Sequence, residues 1–261
     1  MMIQLSASSH PPDQQTLIHR ADLARHRHGH RPRRSTPRSY AALTCGMGEY
    51  RLMAIDPNRD CAPGFTQRLT AARRDLDRRG AVLVSWLVPA AVRYAVAVEA
   101  VQLAEQAGVR RDLTFAETDF TPRRLTNVRQ DQIVKQGDTI RRVYESGAVA
   151  KAIAAVTGQS VYPCPYEPEQ FVITQLDRPG DTHGWHWDDY SFALVWVAET
   201  PDPTDGGFVE CVPNTVWDKR RPGIEQILRE RTIHRLAAKP GAVYLMRTTT
   251  TLHRVYPIRR G

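Results

Sequence analysis

Residues 181–190 read Asp181-Thr-His-Gly-Trp-His-Trp-Asp-Asp-Tyr190, the densest run of polar and aromatic side chains in the chain. If that run is extended, His186 and Asp188 project from the same face, because side chains alternate with a period of two along a strand. His-x-Asp on a strand supplies two ligands of a facial metal triad. The third ligand has to come from elsewhere. His253 meets that need, in the apolar, strand-like Leu252–Ile258 and just after the polar run Thr248–Thr251. Two histidines and one carboxylate on one face leave three adjacent coordination positions free, the arrangement of non-haem Fe(II) oxygenases. Zinc could take the same trio with a water, but zinc sites of that kind usually accompany motifs that are absent here. His183, through His183-x-x-His186, is a competing ligand; three-residue spacing puts the pair on opposite strand faces, which favours His186 with Asp188.

The surrounding pattern sets the fold class. Short β-rich segments separated by Pro, Gly and Asp run through the second half: Phe171–Leu176, Phe192–Ala198, Gly207–Val212, Thr232–Leu236, Ala242–Met246 and Leu252–Ile258. Strands at that spacing indicate a sandwich, jelly roll or barrel. Before them come helical stretches. A polar helix ends at Asp75–Arg79, and Ala90–Ala107 groups Val92, Ala95, Val96, Val98, Val101 and Leu103 on one apolar face with Gly108 as stop. Asp138–Val156 reads as a further helix closed by Gly158, and Ala81–Val88 as a buried strand ended by Pro89. The expected architecture is α+β: N-terminal helices packed on a double-stranded β-helix of the jelly-roll or cupin-like kind.

Composition excludes several classes. With 41% hydrophobic and 25% charged residues over 261 positions, the chain is neither collagen-like nor wholly disordered. No apolar run reaches the roughly 18 residues of a membrane span, and Met1–Leu5 leads into polar residues rather than a signal core. The four cysteines form no Cys-x-x-Cys pair, which suits a reducing compartment, so the expectation is a cytoplasmic protein without membrane partners. Lys and Arg exceed Asp and Glu by 36 to 28, but the first forty residues alone hold seven Arg against Asp13 and Asp22. The basic excess therefore sits mostly in a His/Arg-rich stretch. Residues 1–60 read as a disordered tail, or as sequence upstream of a start at Met47 or Met53, and 61–261 as the folded domain. A nucleic-acid or metal-binding arm is the sharper alternative for that stretch.

Four segments resemble a known family: His-Gly-Trp-His-Trp-Asp-Asp-Tyr-Ser-Phe-Ala-Leu-Val-Trp (183–196), Thr-Pro-Arg-Arg-Leu-Thr-Asn-Val (121–128), Pro-Tyr-Glu-Pro-Glu-Gln-Phe (165–171) and Thr-Leu-His-Arg-Val-Tyr-Pro-Ile (251–258). They look like the Fe(II)/2-oxoglutarate-dependent oxygenases, and more closely like the small radical halogenases and hydroxylases of free amino acids such as lysine. The resemblance implies Fe(II), 2-oxoglutarate and O2 as cofactors, with ascorbate in a supporting role. The halogenases carry Gly where this chain has Asp188, so the retained carboxylate implies hydroxylation. It further implies that Arg123, Glu169, His183 and Asp189 contact the amino acid: one guanidinium for an α-carboxylate, two carboxylates for ammonium groups. Lysine is then the leading substrate, followed by ornithine and arginine. The distal carboxylate of 2-oxoglutarate needs a cation shortly after the second histidine, and Arg259 is chosen over Arg260. Because the family continues past this strand, a missing C-terminal strand and an unpaired barrel edge are also expected. Two other readings stay open at this point. One is an oxygenase acting on nucleic acid through the basic stretch; the other is a non-catalytic cupin-like metal-binding protein.

Overall fold

The computed structural model describes residues 1–11 and 64–260. The basic run of residues 25–34, and with it most of the expected tail, lies outside them. In chain order the elements are β1 (Met2–Ser8), α1 (Phe65–Arg79), β2 (Ala81–Leu83), α2 (Ala90–Ala107), β3 (Val109–Leu113) and β4 (Arg123–Val128). Then come α3 (Gln130–Gln136), α4 (Thr139–Glu145), α5 (Ala148–Thr157), β5 (Tyr162–Pro163), β6 (Phe171–Gln175), β7 (Thr182–His186) and β8 (Phe192–Val197). The chain closes with β9 (Val209–Pro213), α6 (Ile224–Glu230), β10 (His234–Leu236), β11 (Val243–Arg247) and β12 (Thr251–Val255).

Every strand pairing is antiparallel, in the order β10-β9-β12-β7-β4-β6-β1-β8-β11-β2, with β3 beside β4 and β5 beside β1. This is the expected jelly-roll arrangement of helices on a nearly closed barrel. Alternation sorts the strands' two faces. Ile3, Leu5, Phe171, Ile173, Phe192, Leu194, Trp196, Val243 and Leu245 face the helices and join Leu76, Val96, Leu103 and Ile153 in the largest core. Ala193, Val195, Tyr244 and Met246, one position out of phase, line the barrel interior. On the far wall Trp185, Trp187, Val212 and Leu252 pack outward under Ile224 of α6.

Three details depart from the sequence reading. Met2–Ser8, grouped above with the tail, is a central strand: it pairs with β6 on one side and β8 on the other. Those two strands do not pair with each other; β1 lies between them. Ile3 and Leu5 are essentially inaccessible, and burying two such side chains is worth about 3–6 kcal/mol. Second, Ala81–Val88 is a strand only to Leu83. Ser85–Leu87 turn into a short 3-10 helix, with the Ser85 hydroxyl accepting from the Val243 N–H at 2.9 Å. Third, the helix expected over Asp138–Val156 is two helices, α4 and α5, parted at Gly147. Its φ of +72° is a left-handed conformation that ends one helix and starts the next.

Candidate metal centre

His186 ends β7 and His253 lies directly across from it on β12, so cross-strand pairing brings the rings together, with centroids 4.2 Å apart. Asp188 follows two residues on, where the chain leaves β7, and its backbone N–H is held 3.4 Å from the Thr248 carbonyl. Each imidazole is oriented from behind. His186 Nδ1 lies 2.6 Å from the Gly184 carbonyl and His253 Nδ1 2.9 Å from that of Thr251. A carbonyl can only accept, so in both rings Nδ1 carries the proton and Nε2 keeps the lone pair. Those Nε2 atoms point at the aspartate: His186 Nε2 is 3.5 Å from Asp188 Oδ1 and His253 Nε2 is 3.9 Å from Oδ2.

The potential ligand atoms of the three residues all lie within 4.8 Å of one another. Ligands that share one ion at about 2.0–2.2 Å can stand no more than about 4.4 Å apart, and the two histidine–aspartate distances of 3.5 and 3.9 Å fall within that span. Burial, joined by the charges of His183, His253 and Arg123, drives the pKa of His186 well below its ordinary value. The imidazole is therefore neutral, as a metal ligand must be. The donor set, tautomers and protonation fit a divalent ion, and two nitrogens with one carboxylate suit iron.

A fourth residue at the centre comes from β1. Gln4 Nε2 donates to Asp188 Oδ2 at 2.9 Å, holding the carboxylate against rotation as outer partners of metal ligands do. It was missed above because β1 was read as tail. Its signal was present in Met2-Ile-Gln-Leu-Ser-Ala-Ser8, where apolar Ile3, Leu5 and Ala7 alternate with polar Gln4, Ser6 and Ser8.

His183 does not turn away from His186. The rings stack at 3.8 Å with planes 24° apart. The register explains why: His186 opposes His253 and His183 opposes Val255, so three steps along β7 match two along β12. A bulge of this kind carries one extra residue and returns the side chain to the same face. Beyond His183, β4 sets Arg123 opposite it in register. The Arg123 guanidinium lies 4.9 Å from the Phe115 ring centroid, and its Nε is buried without a hydrogen-bond partner. Burial pulls its pKa down, while the charges of Asp188, Asp189, Glu169 and Glu117 pull it back up. Glu169 lies in a short 3-10 turn ahead of β6. The surrounding protein first, then Asp189 and Asp188, push its carboxyl up to about 7. Asp189 accepts from Lys219 Nζ at 2.7 Å. The structure thus draws Arg123, Glu169, His183 and Asp189 together around one side of the triad.

Arg259 is the exception. After β12 the backbone is tied to other loops, with Ile258 N–H donating to the Asp181 carbonyl and Arg259 N–H to that of Asp205. The exposed Arg259 guanidinium then donates to the Tyr256 hydroxyl at 2.9 Å. It lines a surface depression with Phe208 and Arg235, apart from the cavity at the triad. Arg254 does border that cavity, but its guanidinium is held by Glu210 at 2.6 Å. The cavity's other polar lining is Gln4, Thr174, Thr248 and Tyr244.

A His-Asp-His cluster on a jelly-roll barrel is the donor set of a mononuclear metal centre. Residues 65–261 match the model of the family described as HalD, Halogenase D, and the chain belongs to that family. No curated protein matches the sequence. Among solved structures, AviO1 from Streptomyces viridochromogenes Tue57 is similar in fold at 17% identity, with a TM-score of 0.51 over 74% of this chain and 89% of that one. The epimerase SnoN from nogalamycin biosynthesis, described as non-haem and α-ketoglutarate-dependent, is 15% identical, with a TM-score of 0.49 over 75% and 78%. A Pseudomonas putida prolyl-4-hydroxylase is 15% identical, with a TM-score of 0.43 over 74% and 92%.

Proposed function

We propose that this enzyme hydroxylates an unactivated C–H bond of a free basic amino acid, lysine first and ornithine or arginine next, using Fe(II), 2-oxoglutarate and O2. The observation that carries the reading is the complete triad: Asp188 is present, oriented, and within reach of both Nε2 atoms. Iron would be held by His186 Nε2, Asp188 and His253 Nε2, leaving three positions for the co-substrates. When bound, iron and 2-oxoglutarate supply the oxidising power, with O2 converting the keto acid to succinate and CO2 as C–H becomes C–OH.

The chain's own residues choose and place the substrate. Arg123, with a buried N–H lacking a partner, is suited to an α-carboxylate, since a planar guanidinium pairs with a carboxylate through two parallel hydrogen bonds. His183, between Arg123 and the triad, adds a neutral donor. Glu169 and Asp189 offer the carboxylates for ammonium groups. Fixing both ends of a flexible amino acid confines which carbon faces the metal.

Among the described residues no helix is long and apolar enough to cross a membrane, and Cys164 and Cys211 are free thiols. We take the enzyme to be cytoplasmic, with small molecules as its partners. The test is lysine-stimulated succinate formation by the iron-loaded protein, with hydroxylated lysine identified by mass. Succinate release that no basic amino acid accelerates would overturn the substrate assignment.

A further inference from the structure

The carboxylate assigned above to a substrate ammonium already holds an ammonium from the chain itself. Lys219 Nζ lies 2.7 Å from Asp189 Oδ1, and its charge also acts on Glu169. The contact is built rather than casual. Lys219 belongs to the irregular segment between β9 and α6, and that segment is anchored at two points. Trp217 stacks on Trp187 with centroids 6.0 Å apart and donates from its indole N–H to the Glu117 carbonyl at 2.7 Å. Thr215 accepts from the Trp187 indole at 2.9 Å and from the Leu252 N–H at 2.9 Å. Lys219 then lays its ammonium 4.4 Å from the centroid of the Trp217 ring. Both partners keep contact with solvent, at 40% and 25% side-chain exposure, so the ammonium can leave for water without unfolding anything.

We infer that Lys219 is a resident competitor for the substrate's side-chain ammonium at Asp189 and thereby tunes how strongly the site prefers dibasic over neutral amino acids. The inference rests on the amino-acid reading above. Two ammonium groups held at one carboxylate repel each other, and more strongly beside the protein than in open water. A substrate carrying a side-chain ammonium must therefore displace Lys219. One without that charge leaves the Lys219–Asp189 pair intact. An exposed pair is worth up to about 1 kcal/mol, so competition on this scale changes affinity by about fivefold at most.

The test is equilibrium binding by titration calorimetry on the anaerobic holoenzyme, loaded with Fe(II) and 2-oxoglutarate, with lysine and with norleucine, which lacks the side-chain ammonium. Lys219→Met removes the charge at similar length; Lys219→Arg keeps it. The expected result is a two- to fivefold lower Kd for lysine in Lys219→Met, an unchanged Kd for norleucine, and wild-type values for both in Lys219→Arg. A lysine Kd that stays the same or rises in Lys219→Met overturns the inference, and does so without touching the amino-acid reading if wild type still binds lysine. Failure of wild type and variant alike to bind any basic amino acid overturns both. Thermal melts establish that the variants are folded.

Discussion

The two sides of the site are held by different means. On the metal side, His186 and His253 are cross-strand neighbours on β7 and β12, buried, each pinned by a backbone carbonyl. On the other side, Arg123, Glu169, Asp189 and Lys219 meet through long charged side chains drawn from a strand, a short turn and two loops. Strand register fixes the first. Charge balance governs the second, where partners can be exchanged. On the function proposed above, the metal side sets what chemistry is available and the charged side sets which molecule receives it.

Cutting into the scaffold shared by both sides has the largest expected effect. Removing residues 1–8 takes away β1, exposes the edges of β6 and β8, and loses Ile3 and Leu5 from the core. By area alone that is about 3–6 kcal/mol, comparable with the whole stability of many domains. The expectation is an insoluble or largely unfolded product by circular dichroism. If the deletion folds and binds iron normally, β1 is dispensable and Gln4 has no part in the centre.

Next come the ligands. His253→Ala removes a buried donor but no large apolar contact, so iron binding and turnover should be abolished while the far-ultraviolet circular dichroism spectrum is retained. Asp188→Ala should weaken iron binding too, whereas unchanged metal content would favour the non-catalytic cupin-like reading. Gln4→Ala should cost less, about 10- to 100-fold in iron affinity, the usual range for an outer partner of a metal ligand. Anaerobic iron titration measures all three. Equal losses in Gln4→Ala and Asp188→Ala would mean that the glutamine holds the strand rather than the carboxylate.

This ordering tracks how much the sequence disclosed. The triad and the later strands were legible because strand periodicity is local and strict: His186-x-Asp188 needs only an extended backbone, and Phe192–Val197 declares itself by composition. The alternation of β1 was equally regular, but it stood beside a long polar stretch whose composition dominated the reading. Deleting residues 1–60 would therefore remove β1 together with the basic stretch. His183 failed for another reason. A bulge depends on pairing between β7 and β12 and leaves no mark on β7 alone. Arg259 lies apart from the triad's cavity because proximity to His253 in sequence does not set the course of the chain after β12. Lys219 carries no motif at all; only the folded loop brings it to Asp189.

On the charged side, effects should be graded and dependent on pH. Glu169 has its carboxyl pushed up to about 7 by the surrounding protein and by Asp189 and Asp188. Below that pH it is protonated and neutral; above it is anionic and attracts an ammonium. Lysine keeps both ammonium groups over this range, so any change reflects the site. Lysine affinity should rise as pH passes upward through about 7 and then level off. Glu169→Gln, neutral at every pH, should flatten that profile and leave the weaker, acid-side affinity. A profile unchanged by the substitution would assign the dependence to another group and remove Glu169 from the ammonium site.

The smallest expected effect bears on the cofactor. Arg259 is exposed, rests on Tyr256, and lines a depression separate from the triad's cavity. Arg259→Ala should therefore shift stability by no more than about 0.5 kcal/mol, as surface changes usually do. It should also leave the KM for 2-oxoglutarate where it was. The contrast is Thr248→Val, which takes a hydroxyl from the cavity wall and, with it, the bond to the Tyr190 carbonyl that steadies the 187–191 turn. That variant should raise the KM for 2-oxoglutarate severalfold. If instead Arg259→Ala raises the KM and Thr248→Val does not, the keto acid's distal carboxylate reaches the barrel rim. The chain after Pro257 would then have to fold back over the mouth when the co-substrate binds.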